Sequence, residues 1–260
     1  MAAASPKPVV LLVHGAWHSP VHYNLLIKAL QAGGHTVVAP QNASAGAGDS
    51  GVGKGIPDDI ARIDEVAGPH IEAGRDIILV AHSYGGVPGT TYLKGRTAHE
   101  RQARGLAGGF VAALYLTSFP GSVPKPNPEA PQPAMRIFDI DAKRSIAVLK
   151  RAAIGPLFYA DVPGDDEPNK SRRETLFDLL SGQSLLTFTG ETTVDVRELT
   201  MRKTYVVCTC DELLLPAAQH EMAEHIDARI VEIDAGHSPF LVTRHVQRIV
   251  EEVAMAAGCD

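Results

Sequence analysis

A single serine, Ser83, stands among small residues directly behind an apolar run, in the stretch 80–86 (VAHSYGG). A serine on a sharp strand-to-helix turn needs small residues two positions before and two after it, because the backbone there is crowded and strained. Gly85 meets the second requirement, and Ala81 meets the first at a position where glycine is usual. The pattern predicts a turn that presents the Ser83 hydroxyl for nucleophilic chemistry. The alternative, a turn with an incidental serine, is decided by partners elsewhere in the chain.

Partners of the required types occur later in the chain. A serine hydroxyl needs a base that accepts its proton, and a histidine base needs a carboxylate that fixes its tautomer. His237 (in DAGHS) follows the last strand-like run, and Asp211 follows the run YVVCTC. Ser83, Asp211 and His237, each at a strand end and in this chain order, predict a catalytic triad. Glu212, with its longer side chain, and Asp234, three residues before the histidine, are the weaker candidates for the acid.

Two backbone N–H groups are predicted to bind the negative oxygen of a tetrahedral intermediate. One belongs to Tyr84, the residue after the serine, and the other to the loop 13–17 (VHGAW) that follows the first strand. Ala16 is the predicted donor in this loop, since Gly15 lets the loop turn sharply. We interpret His14 as a residue that holds the loop's shape through a hydrogen bond, and not as a base.

An apolar substrate pocket is predicted beside these residues. Trp17 and His18 follow the oxyanion loop directly, and Phe158 and Phe188 lie in the later part of the chain. We predict that these four side chains bind the substrate, although His18 also fits a structural role. His82, next to the serine, is predicted to point into the scaffold of the turn.

One glycine-rich stretch resembles a nucleotide-binding motif. The segment 48–55 (GDSGVGKG) nearly matches the phosphate-binding pattern G-x-x-x-x-G-K-[ST]. The serine or threonine that would bind magnesium is missing, and Ile56 and Pro57 follow where a helix should already have begun. We therefore interpret this stretch as a surface loop.

The predicted site needs a scaffold that brings several strand ends together. Apolar runs of strand length alternate with helical patterns, and runs that are apolar on both faces are typical of a mostly parallel sheet flanked by helices, an α/β fold. The predicted strands are Val9–Val13, His35–Ala39, Ile77–Ala81, Phe110–Leu116, Thr204–Thr209 and Arg229–Ile233. The predicted helices are Asn24–Gln31, Asp58–Ala73, a short one after Ser83, Ala217–Ile226 and one from Val242.

The alternation breaks in the middle of the chain. Six prolines between Pro120 and Pro133 exclude a helix or an inner strand there. From Met135 to about Leu199 the patterns are mainly helical. We predict a core built from residues 1–118 and 201–260, interrupted by a helical insertion at 119–200.

Composition excludes several classes of partner. The chain has 260 residues and a formal charge of −6, which argues against nucleic-acid and anionic-membrane partners. Its three cysteines, Cys208, Cys210 and Cys259, form neither a disulfide framework nor a strong metal motif. The first apolar run is too short for a signal peptide or a membrane span, so we expect a cytoplasmic protein. The oligomeric state stays open, with a homodimer among the options.

Four stretches together resemble the α/β-hydrolase superfamily, and more narrowly the group of methyl salicylate esterases and hydroxynitrile lyases with its bacterial and fungal esterase relatives. They are VHGAWHSPVHYNLLIKALQAGGH, AHSYGG, CTCDELLLP and DAGHSPFL, and FYADVP and LLSGQSLLTF in the insertion extend the resemblance over nearly the whole chain. The resemblance implies an α/β-hydrolase fold in which the insertion is a helical cap over the site, with the substrate between cap and core.

The implied activity is cofactor-independent and metal-free hydrolysis of a carboxylic ester, lactone or thioester of a small apolar or aromatic acid. A lyase or cyclase that reuses the site, and a ligand-binding receptor, are the alternatives. Hydroxynitrile lyases of this group carry a lysine directly after the catalytic histidine, where this chain has Ser238. The lyase alternative therefore lacks its electrophile.

Overall fold

The computed structural model describes residues 6–121, 137–163, 167–190 and 194–258. Most of the proline-rich segment predicted at 120–133, and Cys259, lie outside these residues. The strands described are β1 (Val9–Val13), β2 (Val37–Val38), β3 (Ala45–Gly46), β4 (Asp76–His82), β5 (Gly109–Leu116), β6 (Phe138–Asp141), β7 (Ile146–Leu149), β8 (Gly182–Ser184), β9 (Arg202–Cys208) and β10 (Arg229–Ile233). The α-helices described are α1 (Asn24–Ala32), α2 (Ile56–Glu72), α3 (Gly86–Leu93), α4 (Ala98–Gln102), α5 (Arg151–Ala153), α6 (Glu167–Asp178), α7 (Leu186–Thr189), α8 (Pro216–His225) and α9 (Thr243–Ala256).

Six strands form one parallel sheet in the order β2-β1-β4-β5-β9-β10. The chain runs from β1 outward to β2 and then returns to place β4 on the other side of β1. The connections after β1 and β4 therefore leave in opposite directions, and the crevice between such strand ends is where α/β sheets bind ligands. This arrangement is the α/β-hydrolase fold that the sequence predicts.

The two faces of the sheet pack against different helices. In β1, Val10 and Leu12 join the apolar cluster that includes α1 and α9, whereas Leu11 and Val13 join the cluster that includes α2 and α8. This alternation follows from the two-residue period of a strand. Because both faces are covered, the inner strands contain continuous apolar runs, and the sheet positions its carboxyl ends rigidly. Among the described residues, no helix combines the length and the apolar character that a membrane crossing requires.

The region between β5 and β9 differs in part from the predicted helical insertion. It contains helices α5, α6 and α7, but also the short strands β6, β7 and β8, which form an antiparallel sheet with β3. The strands have three or four residues each, and Ile140 and Val148 stay exposed. Strands β6 (FDID) and β8 (GQS) lack the continuous apolar runs of the core strands, and β7 (IAVL) is apolar but only four residues long.

Candidate active site

Ser83 occupies the strained turn that its sequence predicts. Strand β4 ends at His82, a 3₁₀ turn covers Ser83–Gly85, and α3 follows. Ser83 has φ of 50°, in the left-handed region that non-glycine residues rarely adopt. A Cβ atom on Gly85 would lie 2.3 Å from the carbonyl oxygen of Val13, so this position requires glycine. Ser83 is half-buried whereas its neighbours on both sides are buried, so the turn presents its hydroxyl.

The structure brings Ser83, His237 and Asp211 together. The Ser83 Oγ atom lies 3.1 Å from Nε2 of His237, and Nδ1 of the same ring lies 2.7 Å from Oδ2 of Asp211. His237 and Asp211 are each 2% exposed. A neutral imidazole that donates from Nδ1 to the carboxylate has Nε2 free to accept the serine proton. The rival carboxylates Glu212 and Asp234 are exposed.

Asp211 is held by further hydrogen bonds. The backbone N–H groups of Leu213 and Leu214 donate to its Oδ1 at 2.8 and 2.9 Å, and the Thr117 hydroxyl donates to Oδ2 at 2.5 Å. Burial raises the pKa of this carboxyl, but the His237 ring and these donors outweigh burial and lower the pKa below its usual value. Thr117 was not predicted, although its position directly after β5, at the same sheet edge, was an available signal.

The loop that carries His237 is fixed from two sides. The backbone N–H of Gly236 donates to Asp161 in the insertion at 2.6 Å. The ring of His82 lies 2.8 Å from the His237 carbonyl oxygen through Nε2, and 2.7 Å from the Tyr23 hydroxyl through Nδ1. Nε2–H must donate to the carbonyl, so Nδ1 accepts from Tyr23. Burial holds the pKa of His82 well below its usual value, which fits a neutral scaffold residue.

The loop after β1 has its shape set by His14. The backbone N–H of Asn42 donates to His14 Nε2 at 2.9 Å, so Nδ1 carries the proton and donates to the Gly15 carbonyl at 2.8 Å. Burial, only partly offset by the hydrogen bond to Gly15, lowers the pKa of His14 to about 4. Both ring nitrogens are used, so His14 holds the loop and has no free nitrogen to act as a base.

The two predicted oxyanion donors lie on the two loops that leave β1 and β4. Within the described residues, the backbone N–H of Ala16 has no hydrogen-bond partner. Tyr84 is the second residue of the 3₁₀ turn, where a backbone N–H has no acceptor inside the turn. The neighbouring N–H of Trp17 donates to Gln183 at 3.2 Å and is not available.

Aromatic rings surround Trp17 at the site. Phe188, Phe138 and Phe158 lie 5.7, 5.9 and 5.9 Å from it between ring centroids. Phe158 in turn packs edge-on against the His237 ring at 5.6 Å, so the cluster reaches the triad. The predicted pocket residues Trp17, Phe158 and Phe188 therefore lie together, and Phe138, which was not assigned to the pocket, joins them.

His18 has its ring nitrogens occupied. Nδ1 lies 2.8 Å from the Ala16 carbonyl oxygen and Nε2 lies 3.0 Å from the Tyr159 hydroxyl. The residue is 1% exposed, and burial lowers the pKa of its ring well below the usual value. The structural role left open for His18 is therefore the one that its contacts support.

Other ligand types find little support in the described residues. No group of three or more His, Cys, Asp or Glu side chains there is arranged to hold a metal ion. The phosphate-loop-like segment 48–55 forms turns, and α2 begins only at Ile56, after its lysine. In a phosphate loop the helix begins at the lysine, whereas α2 begins two residues after Lys54, so the segment does not match that pattern.

Comparison with known proteins identifies related sequences and structures. The chain is 25% identical to the alpha/beta hydrolase nvfD of Aspergillus novofumigatus, over 97% of each protein. It is 24% identical to the pyrethroid hydrolase of Sphingobium wenxiniae, over 94% of this chain and 86% of that protein. The crystal structure of a pyrethroid hydrolase from Sphingobium faniae superposes with a TM-score of 0.74 at 20% identity, covering 96% of this chain and 97% of the other. The model of the alpha/beta hydrolase family matches residues 10–252, and the chain therefore belongs to this family.

Proposed function

We propose that the protein is a serine hydrolase that cleaves a carboxylic ester through an acyl-enzyme on Ser83. The observation that carries the proposal is the unbroken hydrogen-bonded series from Ser83 Oγ through the His237 ring to Asp211. Each group in the series has its own chemical task, and Ser83, half-buried beside a buried imidazole and a buried carboxylate, is the most accessible of the three. The similarity to pyrethroid hydrolases supports the same reaction class.

Acylation begins when Ser83 Oγ attacks the ester carbonyl carbon and its proton passes to His237 Nε2. The carbonyl π electrons move onto the oxygen, which the backbone N–H groups of Ala16 and Tyr84 stabilise. Asp211 stabilises the imidazolium and keeps its orientation. The tetrahedral intermediate then collapses, the bond between the carbonyl carbon and the alcohol oxygen breaks, and His237 gives its proton to the leaving alcohol.

Deacylation repeats these steps with water. His237 Nε2 takes a proton from water as the oxygen attacks the acyl carbon, and the same two N–H groups hold the new oxyanion. The bond to Ser83 Oγ breaks, the serine regains its proton from His237, and the carboxylic acid leaves. Every proton and electron pair is supplied by substrate, water or these side chains, so the reaction needs no cofactor.

An apolar, aromatic group is the proposed substrate feature beside the scissile bond. In the cluster of Trp17, Phe138, Phe158 and Phe188 the three phenylalanine rings pack 5.7–5.9 Å from the indole. Trp17 and Phe158 are buried, so the half-buried Phe138 and Phe188 rings are the ones against which an aromatic or flat apolar group would pack. The cluster contacts His237 through Phe158, so a substrate bound there would place its ester near the serine.

We propose further that the insertion 119–200 acts as the cap over this site. Two of its residues support this role by bonding core loops that flank the triad: Gln183 accepts from Trp17 N–H, and Asp161 accepts from Gly236 N–H. A substrate would then bind between the insertion and the sheet edge.

A labelling and turnover experiment tests the proposed function. A fluorophosphonate probe should label the parent protein and Ser50→Ala, an exposed-serine control, but not Ser83→Ala. The parent should turn over a panel of aryl esters many times, which a ligand-binding receptor would not do. Release of cyanide from an aromatic cyanohydrin at a rate comparable to ester cleavage would instead establish the lyase alternative. Equal ester turnover by the parent and Ser83→Ala would refute the proposal.

A further inference from the structure

A buried polar network connects the two loops that carry the proposed oxyanion donors. It runs from the Tyr84 side chain to the backbone of Trp17 through three fully buried residues, Asp59, Ser44 and Gln183. None of these three takes part in the proposed chemistry. Since buried polar groups are costly unless fully paired, a network at this place needs a reason.

Asp59, on α2, forms one end of the network. Its Oδ2 accepts from the Tyr84 hydroxyl at 2.6 Å and from the Ser44 hydroxyl at 2.6 Å, and its Oδ1 accepts from the Ser44 backbone N–H at 2.8 Å. All three partners are donors, so the carboxylate fixes the position of the Tyr84 side chain. Tyr84 is the residue that follows the nucleophile and carries one oxyanion donor on its backbone.

Gln183, on β8 of the insertion, forms the other end. Its Nε2 donates to the Ser44 hydroxyl at 2.9 Å and to the Thr187 hydroxyl at 3.1 Å, and its Oε1 accepts from the Trp17 backbone N–H at 3.2 Å. Trp17 has φ of 62°, so the loop is held in a left-handed conformation directly after Ala16. Its carbonyl oxygen is bonded as well, by the backbone N–H of Ser181 at 2.9 Å.

We propose that Asp59 and Gln183 are positioning residues of the oxyanion hole, which hold the Ala16 and Tyr84 N–H groups at the separation that one oxygen atom requires. This inference rests on the proposed function. Oxyanion stabilisation is sensitive to small displacements, because a donor gives most of its stabilisation only when it is preorganised at 2.7–3.1 Å from the developing charge. A tether on each of the two loops, joined through Ser44, supplies that preorganisation. The insertion thus contributes to catalysis and not only to substrate binding.

The test uses three variants and one matched control. Asp59→Asn and Gln183→Met remove the two ends of the network, and Tyr84→Phe removes a single hydroxyl with little risk to folding. Tyr92→Phe is the control, since the buried Tyr92 also donates to a carboxylate on α2, that of Asp64 at 2.7 Å, away from the site. Thermal unfolding of each variant establishes that it folds.

Each protein is assayed with an oxygen ester and with the corresponding thionoester, whose sulfur accepts weaker hydrogen bonds. We expect kcat for the oxygen ester to fall about tenfold in the three variants, with KM within about twofold and with a much smaller fall for the thionoester. Tyr92→Phe should match the parent on both substrates. A structural defect that misplaces the serine would slow both substrates equally.

The outcomes separate the two proposals. A parent protein that hydrolyses no ester overturns the proposed function and this inference with it. An active parent whose variants match Tyr92→Phe, or whose two substrates slow equally, overturns the inference alone. A selective loss with the oxygen ester in Tyr84→Phe supports it even where Asp59→Asn fails to fold.

Discussion

His237 Nδ1 and Asp211 Oδ2 lie 2.7 Å apart, with both side chains shielded from solvent. The Asp211 carboxylate is surrounded by donors, since Thr117 bonds the same oxygen and two backbone N–H groups bond the other. The carboxylate can only accept hydrogen bonds in this environment, so it fixes the imidazole proton at Nδ1. Nε2 is left as the acceptor that faces Ser83.

Asp211→Asn should strongly reduce ester turnover. An amide that turns its NH₂ toward His237 makes Nδ1 the acceptor and moves the ring proton to Nε2, which can then no longer accept the serine proton. An amide that turns its NH₂ toward the backbone N–H groups of Leu213 and Leu214 places donors against donors. In a serine protease the same substitution lowers kcat about 10⁴-fold, and we expect a fall of at least about 10²-fold here. Steady-state kinetics on an aryl ester measures it.

Two matched substitutions serve as controls for this prediction. Glu212→Gln and Asp234→Asn change exposed carboxylates in the loops that follow β9 and β10. Both variants should keep the parent's kcat within about twofold. An active Asp211→Asn protein together with an inactive Asp234→Asn protein would mean that a different carboxylate orients His237.

Thr117→Val should reduce ester turnover less than Asp211→Asn does, because it removes only one of the hydrogen bonds to the Asp211 carboxylate. The Thr117 hydroxyl is a buried donor at 2.5 Å, and a hydrogen bond to a charged group contributes about 1.5–3 kcal/mol. We expect kcat to fall by about tenfold, while Thr117→Ser, which keeps the hydroxyl, stays close to the parent. Equal losses in both variants would show that the methyl group and not the hydrogen bond matters.

The protein should lose stability in mild acid because buried histidines must take up protons when it unfolds. Burial lowers the pKa of His14 from its ordinary value of 6.5 to about 4, and it shifts the pKa values of His18 and His82 in the same direction. Between pH 6.5 and 4 the unfolded chain therefore binds more protons than the folded one. The stabilisation is complete above pH 6.5 and is lost as pH falls, by about 1.4 kcal/mol per unit for each histidine.

Urea unfolding at several pH values between 7 and 4.5 measures this loss. In His14→Asn, which has no ring to titrate, the slope of unfolding free energy against pH should be smaller than in the parent by about 1.4 kcal/mol per pH unit, which corresponds to one proton. A parent protein whose unfolding free energy stays constant from pH 7 to 4.5 would contradict the neutral, buried state of these rings.

Phe188→Ala should impair binding of aromatic substrates selectively. The Phe188 ring is half-buried, stacks on Phe138 at 6.2 Å and lies beside Trp17. Loss of one aromatic contact costs about 0.5–1.5 kcal/mol beyond area burial, so KM for an aryl ester should rise about two- to tenfold. KM for a short aliphatic ester should hardly change, and equal changes for both substrates would place the aromatic group elsewhere.

The sequence was most informative where the chain forms the parallel sheet. Val9–Val13 coincides with β1, because a strand covered on both faces appears as a continuous apolar run. Arg229–Ile233 coincides with β10, an edge strand in which Val231 and Ile233 are buried and alternate with the exposed Glu232. Ser83, Asp211 and His237 could be identified for a related reason. Ser83 directly follows β4, Asp211 and His237 lie in the loops just after β9 and β10, and all these parallel strands end at one edge of the sheet.

The remaining features depend on contacts between distant segments. The Gln183 amide bonds Trp17, 166 positions away in the chain, and no local pattern in SGQSL predicts this partner. The small antiparallel sheet likewise depends on the pairing of β3, which lies before the insertion, with β8 inside it, and this pairing has only two residue pairs. These strands have only two to four residues each, which is too short for the two-residue period of a strand to stand out from the helical patterns around them.

The central claim is that Ser83 becomes acylated during turnover. Rapid acid quenching of the protein during hydrolysis of a slowly deacylating aryl ester, followed by proteolysis and mass spectrometry, tests this claim directly. We predict that the peptide containing Ser83 gains the mass of the acyl group minus one hydrogen, and that Ser83→Ala shows neither the adduct nor turnover. Steady hydrolysis by the Ser83→Ala protein, or an acyl group carried by another residue of the active parent, would contradict the account.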